Sequence, residues 1–261
     1  MSNIARLLLL SLAAMLLASC ASTASFNYAI IPGSIPRYDP LPAEISIAVL
    51  PFQDKRIRYL EADGSSQDER GSYAAGWIPL MPYGWVEKVF PEQNRGNRFA
   101  TLTSYWCQFD RELSQAAVTS LEYCQLFSQV RRVETSEQAD TDWILRGYYT
   151  LTEYQGERLT YGLTYLGAWP LWLIGFPCAV SHCRLALDFD IVERATGKIL
   201  WRLAYNDADF LVQGFYYNYG EDTQRFTKLA NYAMGAAIFD LKNRIDQQQQ
   251  KKTDDGFVII Q

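Results

Sequence analysis

The sequence of 261 residues contains one histidine, which bounds the acid–base chemistry open to it. His182 stands in the run Cys178-Ala179-Val180-Ser181-His182-Cys183, where two sulfurs and an imidazole resemble part of a zinc site. Zinc takes four ligands at characteristic spacings. No second Cys/His cluster completes this set, so no metal is expected. Cys178 and Cys183 bracket a short predicted turn and could pair across it as a disulfide; a free turn with an incidental histidine is the other reading. Asp188 and Asp190 fall on one face of a predicted strand, where two carboxylates could act as acid and base. Arg184 and Arg202 share that face, so solvated ionic positions account for the pair more simply. With no Gly-rich phosphate loop and no nucleophile elbow, no catalytic residue or cofactor is assigned, and the expectation is that the protein is not an enzyme.

The remaining residue with chemistry to offer is Cys20. Arg6 precedes an apolar run from Leu7 to Leu17 and then Ala18, Ser19 and Cys20. A charged start, a short apolar stretch and small residues before a cut are the layout of a secretory signal. A permanent membrane helix needs about 20 apolar residues, and this run is shorter, so residues 1–19 are expected to be removed. Leu17, Ala18, Ser19 and Cys20 resemble the lipobox of bacterial lipoproteins. The resemblance implies a thioether-linked diacylglycerol on Cys20 and a further acyl chain on its amino group. Several chains anchor stably, since each buried methylene contributes about 0.8 kcal/mol. Ala21 resembles the outer-membrane sorting class, which implies a lipid anchor at the periplasmic face of the outer membrane.

Composition sets the other limits. The net charge is −5 with 24 basic against 29 acidic residues, whereas phosphate binding needs a clustered basic face; nucleic acid is not an expected partner. Aromatic residues make up 14% of the chain, with 7 Trp, 17 Tyr and 13 Phe. That exceeds the need of one core, so some should meet lipid or protein at a surface. Two segments concentrate them: 77–90 with Trp77 and Trp85, and 162–180 with Trp169, Trp172 and Phe176. These five residues are the candidate membrane or partner contacts. Residues 162–180 could cross a membrane once by length, but Pro170, Gly175 and Pro177 would break a helix, so an interfacial or partner-facing loop pair is expected.

The elements that must carry these segments follow from periodicity. Residues 20–42 contain Pro32, Pro36, Pro40 and Pro42 and read as an extended tether. Residues 45–52, apolar on both faces, read as a central strand, and the charged stretch 54–71 as a mobile loop. Three- and four-residue spacing from Phe109 to Phe127 predicts a helix over 105–129 with Ser104 as N-cap; Cys107 and Cys124, both inside it, could not pair. Strands are predicted at 130–134 and 143–154. Alternation at Leu185, Leu187, Phe189 and Ile191, then a turn at 195–198, predicts a hairpin whose three-residue connection pairs Ile191 with Leu203 and Phe189 with Tyr205. A last helix spans Phe226 to Ile245, capped by Asp222 or Thr223, and 247–261 is a polar tail. The whole predicts a single α+β domain over 43–246: a mainly antiparallel sheet with two long helices packed on one face.

The lipobox, Pro-rich tether, first strand IAVLPFQD, long helix, strand WILRG and hairpin DFDIVERATGKILWR together resemble a group of envelope lipoproteins. The group includes the curli secretion channel subunit CsgG, the penicillin-binding-protein activator LpoB and the amino-terminal domain of TolB. The resemblance implies an interaction module that helps assemble or regulate a cell-envelope complex, with an envelope protein as partner and the membrane reached through lipid on Cys20. The alternative is a pore or secretion-channel subunit in which the aromatic segments become membrane elements; 162–180 lacks the alternation of a barrel strand.

Overall fold

A computed structural model describes residues 24–41, 45–56, 69–72, 85–89, 98–100, 104–106, 109–163 and 165–255. In chain order the strands are β1 (Ala24–Ser25), β2 (Ser46–Val49), β3 (Gln53–Asp54), β4 (Glu69–Ser72), β5 (Trp85–Val89), β6 (Arg98–Ala100), β7 (Ser104–Trp106), β8 (Gln129–Arg132), β9 (Trp143–Arg158), β10 (Ala179–Glu193) and β11 (Ile199–Gln213). The helices are α1 (Phe109–Cys124), α2 (Tyr165–Leu173) and α3 (Arg225–Asp255).

The main sheet is mixed and open, ordered β11-β10-β9-β2-β8, with β3 and β5 also paired to β9 and β4 outside β5. The ladder β9-β10-β11 is antiparallel, while β2 runs parallel to both β8 and β9. Parallel neighbours need a crossover, and α1 supplies it between β2 and β8. The longest ladders are antiparallel, as expected, and the short parallel pairs of β2 and β3 make the sheet mixed. The apolar run of β2, buried at Ile47, Ala48 and Val49, is the composition such a doubly covered strand requires.

Helices α1 and α3 lie together on one face. Leu113, Ala117 and Leu121 of α1 and Phe226, Leu229, Ala233, Met234 and Ile238 of α3 join Ile47, Val49, Leu145, Leu187, Phe189 and Ile191 in one core cluster. The Phe109 ring packs 5.8 Å from both Tyr149 and Phe226, tying the first turns of the two helices to the sheet. A small cluster of Ala48, Leu50, Ala139 and Ile144 closes part of the opposite face.

Several boundaries differ from expectation, each for a local reason. Helix α1 begins at Phe109 and Ser104 belongs to β7, so Ser104 is not its N-cap; Cys107 lies outside the described residues. The helix stops because Gln125 turns left-handed at φ 59°, which ends a helix as glycine usually does. The hairpin keeps its faces but shifts by two: Ile191 pairs with Trp201 and Phe189 with Leu203. The connection has four residues, closed by Glu193 N–H donating to Lys198 O at 2.9 Å with Gly197 at φ 71°, and a bulge follows at Ile191/Val192. A shift of two restores the same inward set; a shift of one would have inverted it. Helix α3 starts at Arg225 after a short 3-10 turn (Glu221–Gln224) and runs on to Asp255, through the first part of the expected tail. Of the expected mobile loop at 54–71, residues 54–56 are fixed. Arg56 makes a bidentate pair with Asp54 (2.9 and 2.6 Å) and donates to Thr152 Oγ1 at 2.9 Å.

The largest correction concerns the tether. Residues 26–41 are a strap bound across both helices, broken by a turn in which Ser34 N–H donates to Ile31 O at 3.0 Å and Gly33 takes φ 82°. Phe26 is buried against Phe109. Tyr28 shares a 2.6 Å hydrogen bond with Ser120, and burial pushes its phenol up to about 12 although that hydrogen bond pulls the other way. Asn231 on α3 accepts from Ile31 N–H and donates to Ala29 O at 2.7 Å. Further on, Tyr38 N–H donates to Cys124 O and Leu41 N–H to Leu126 O. Strap, α1 and α3 thus form one packed layer.

Candidate functional site

One end of the β9-β10-β11 ladder lies beyond the helices and carries a crown of aromatic and aliphatic side chains. Three connections meet there: residues 159–163 after β9, α2 with the turn that follows it, and residues 214–220 after β11. Their strand ends are adjacent, since Ala179 pairs with both Arg158 and Gln213. Exposed on the crown are Tyr161, Leu163, Trp169, Leu173, Ile174, Phe176, Tyr216, Tyr217 and Tyr219, with Ile174 72% and Tyr216 70% exposed.

The crown has its own small core. Trp172, Ala168, Cys178 and Ala179 cluster beneath the surface with Phe215 against them. The Trp172 indole N–H donates to Leu159 O at 2.9 Å. Phe215 lies 5.9 Å from Trp172, 6.5 Å from Trp169 and 6.0 Å from Tyr219, all edge-on. Three phenols then clip the connections together: Tyr161 donates to Pro177 O at 2.6 Å, Tyr216 to Leu173 O at 2.7 Å and Tyr217 to Gly175 O at 3.5 Å. Burial, with neighbouring Tyr217 and Cys178, pushes the Tyr161 phenol above its ordinary range. Gly175 at φ 99° lets the chain reverse after α2. The expected breakers act partly as anticipated: α2 tolerates Pro170, and the helix stops before Gly175.

Of the five predicted contact residues, Trp169 and Phe176 are exposed on the crown. Trp172 is corrected: at 4% exposed it is an internal anchor, because its indole fills the space between α2 and the strand ends. Trp85 opens β5, where its backbone pairs with Glu157, so the second aromatic segment reaches the same end of β9. Trp77 lies outside the described residues. Sequence reasoning missed Tyr216, Tyr217, Tyr219 and Phe210. The run Phe215-Tyr216-Tyr217-Asn218-Tyr219 between a strand and a helix was the available signal.

The polar candidates are not brought together. The 178–183 disulfide is corrected: no bond joins the two sulfurs, and the expected turn is the start of β10. Five residues along a strand span about 16 Å, far beyond disulfide reach. His182 is exposed and points away from buried Cys183, because neighbours on a strand alternate; its ring stacks on its cross-strand partner Phe210 at 6.2 Å. Asp190, itself buried, takes a bidentate pair from the exposed Arg202 at 2.7 and 3.0 Å. Among the described residues, no group of three or more His, Cys, Asp or Glu could hold a metal ion, and no helix is long and apolar enough to cross a membrane.

No protein-family model and no curated protein matches the sequence. Among solved structures, the chain is similar to protein XCC0632 from Xanthomonas campestris, of the family DUF330, with 9% identity and a TM-score of 0.47 over 88% of this chain and 99% of that one. It is also similar to a putative neuraminyllactose-binding hemagglutinin homolog from Helicobacter pylori, with 10% identity and a TM-score of 0.37 over 87% and 96%. A third similarity is to the PelC dodecamer from Paraburkholderia phytofirmans, with 10% identity and a TM-score of 0.34 over 75% and 88%.

Proposed function

We propose that this protein is a lipid-anchored accessory module of the bacterial envelope, held at the periplasmic face of the outer membrane through Cys20 and working by contact with an envelope protein complex. The observation that carries the reading is the crown. Its exposed side chains rest on a packed sub-core and on phenol-to-carbonyl hydrogen bonds, so the apolar surface is built to be displayed. Contiguous apolar surface of that kind marks an interaction site on a folded domain.

The leader pattern ending at Cys20 supports the anchor, and the strap supports close coupling to it. Only five residues separate Cys20 from buried Phe26, so the two lie about 20 Å apart at most. The test is envelope fractionation of wild type and Cys20→Ala, with the mass of the amino-terminal peptide, followed by crosslinking in intact envelopes. The expected result is acylated Cys20, outer-membrane recovery lost in Cys20→Ala, and a discrete crosslinked complex. An unmodified Cys20, or a chain that stays monomeric and uncrosslinked in the envelope, overturns the reading.

A further inference from the structure

We propose that the free edge of β11 is a self-association surface, to which a second copy of this chain adds its own β11 antiparallel about a two-fold axis at Ala204. This concerns a face other than the crown and does not depend on the anchor.

Strand β11 is 15 residues long and ends the main sheet. Among the described residues it pairs with β10 alone. Alternate residues of a strand turn their backbone groups to opposite neighbours, and Gln213 O accepts from Cys178 N–H on the inner side. The even-numbered residues from Arg202 to Val212 therefore present N–H and C=O outward. The crown-side half of that row is capped. Ala208 N–H donates to Asp207 Oδ1 at 2.8 Å, Phe210 N–H to Asp209 Oδ1 at 3.1 Å, and Val212 O accepts from Asn218 Nδ2 at 3.0 Å. Both carboxylates are themselves held, Asp207 by the Tyr205 hydroxyl and Asp209 by Lys228 and Arg225. Charged side chains placed this way blunt an edge against further pairing. Among the described residues, no such cap is made for Arg202, Ala204 and Asn206, all exposed.

The open window is complementary to itself. In a pairing centred on Ala204, that residue meets its own counterpart and Arg202 faces Asn206 on either side, making about six backbone hydrogen bonds. Arg202 is the one charged residue from Ile199 to Asn206 and is already paired with Asp190, so no like charges oppose one another. A shift towards the crown sets an open residue against capped Ala208. A shift the other way brings in the irregular pairing at Ile199 or sets Arg202 against itself. Helix α3 packs over β10 and β11 and runs against β11, since Trp201 donates to Asp240 and Asp209 accepts from Lys228. Ala236 is thus about level with Ala204. Tyr232 and Phe239, both exposed, stand on either side of Ala236, so the two-fold axis brings Tyr232 of each copy towards Phe239 of the other. Small residues at the axis and rings exchanged across it are what an isologous contact requires, and a single foreign strand does not.

The test uses the full chain in detergent. Ala204→Cys places two thiols at the axis, where directly opposed Cα atoms lie about 5.5 Å apart, within disulfide reach. Ala208→Cys, exposed on the same side of the same strand, is the control, because its two copies would stand about 26 Å apart. Mild oxidation should crosslink position 204 about tenfold more than position 208 or the wild type, whose native cysteines set the background. Native mass spectrometry should give twice the chain mass for wild type and the single mass for Ala204→Lys, with the melting temperature unchanged. Asn206→Pro, which removes an outward N–H, should separate the copies by a different route, so one poorly folding variant does not decide the matter. A single-chain mass for wild type overturns the proposal, as does equal crosslinking at 204 and 208. So does a dimer retained in folded Ala204→Lys or Asn206→Pro, or a crosslink from position 204 to a different protein in intact envelopes.

Discussion

Gly235 on α3 lies so close to the strap that a methyl group in place of its hydrogen would sit 2.2 Å from the Ser34 carbonyl oxygen. The strap can cross the helix only where the helix has no side chain. In a helix interior, glycine to alanine normally stabilises by about 0.5–1 kcal/mol. Here the sign reverses: Gly235→Ala should cost about 1–3 kcal/mol, the range for overpacking a well-filled contact. Thermal denaturation measures the loss, and hydrogen exchange should show faster opening at residues 26–41 than in β10.

Trp172 and Trp169 stand three apart on α2 and should respond differently to truncation. Trp172→Ala removes the centre of the crown's sub-core and should cost about 3–5 kcal/mol. Trp169→Ala, half-exposed, should cost about 0.5 kcal/mol. Urea unfolding of the two variants decides; equal costs would mean that the crown has no core of its own.

Asp209 on β11 accepts from Lys228 at 2.9 Å and Arg225 at 3.2 Å on α3. Burial pushes its carboxyl up, but the two cations together outweigh burial and hold it below its usual range. A lowered folded pKa means that the pairing stabilises above the unfolded value of about 3.9 and is lost as pH falls through the folded one. Wild type should therefore lose stability on acidification below about pH 4 more steeply than Asp209→Asn, read as the urea midpoint against pH.

Cys178 and Cys183 should remain uncrosslinked in oxidising buffer. A peptide map without reductant is expected to recover the two peptides separately after alkylation under denaturing conditions. A 178–183 bridge in folded protein would contradict the extended course of β10.

Much of the fold was legible where one physical rule governed. The three- and four-residue spacing of Phe226, Ala230, Ala233 and Ala237 marked the buried side of α3, and alternation from Leu185 to Ile191 marked the inward side of β10. The hairpin register was not legible to the residue, because both shifts of zero and two satisfy alternation and only the turn decides. The strap was misread for a related reason. Proline fixes an extended backbone, but it is silent on whether that backbone is solvated, and the partners Asn231, Gly235 and Ser120 are each some ninety to two hundred residues away. The crown was half legible: residues 162–180 announced themselves by composition, whereas Tyr216 and Tyr219 gained meaning only when β11 delivered them beside α2.

The bound strap also decides what kind of freedom the domain has. A flexible leash of some twenty residues lets a module tumble through a hemisphere and offer every side to its surroundings, with reach growing as the square root of length. If the chain is anchored through Cys20 as proposed, folding Phe26 to Leu41 away would leave a short lead, with translation in a plane and little rotation out of it. Such a molecule would discriminate among neighbours by bearing and height as well as by affinity, and lengthening the lead by a few residues would disturb that alignment without altering a contact of the strap.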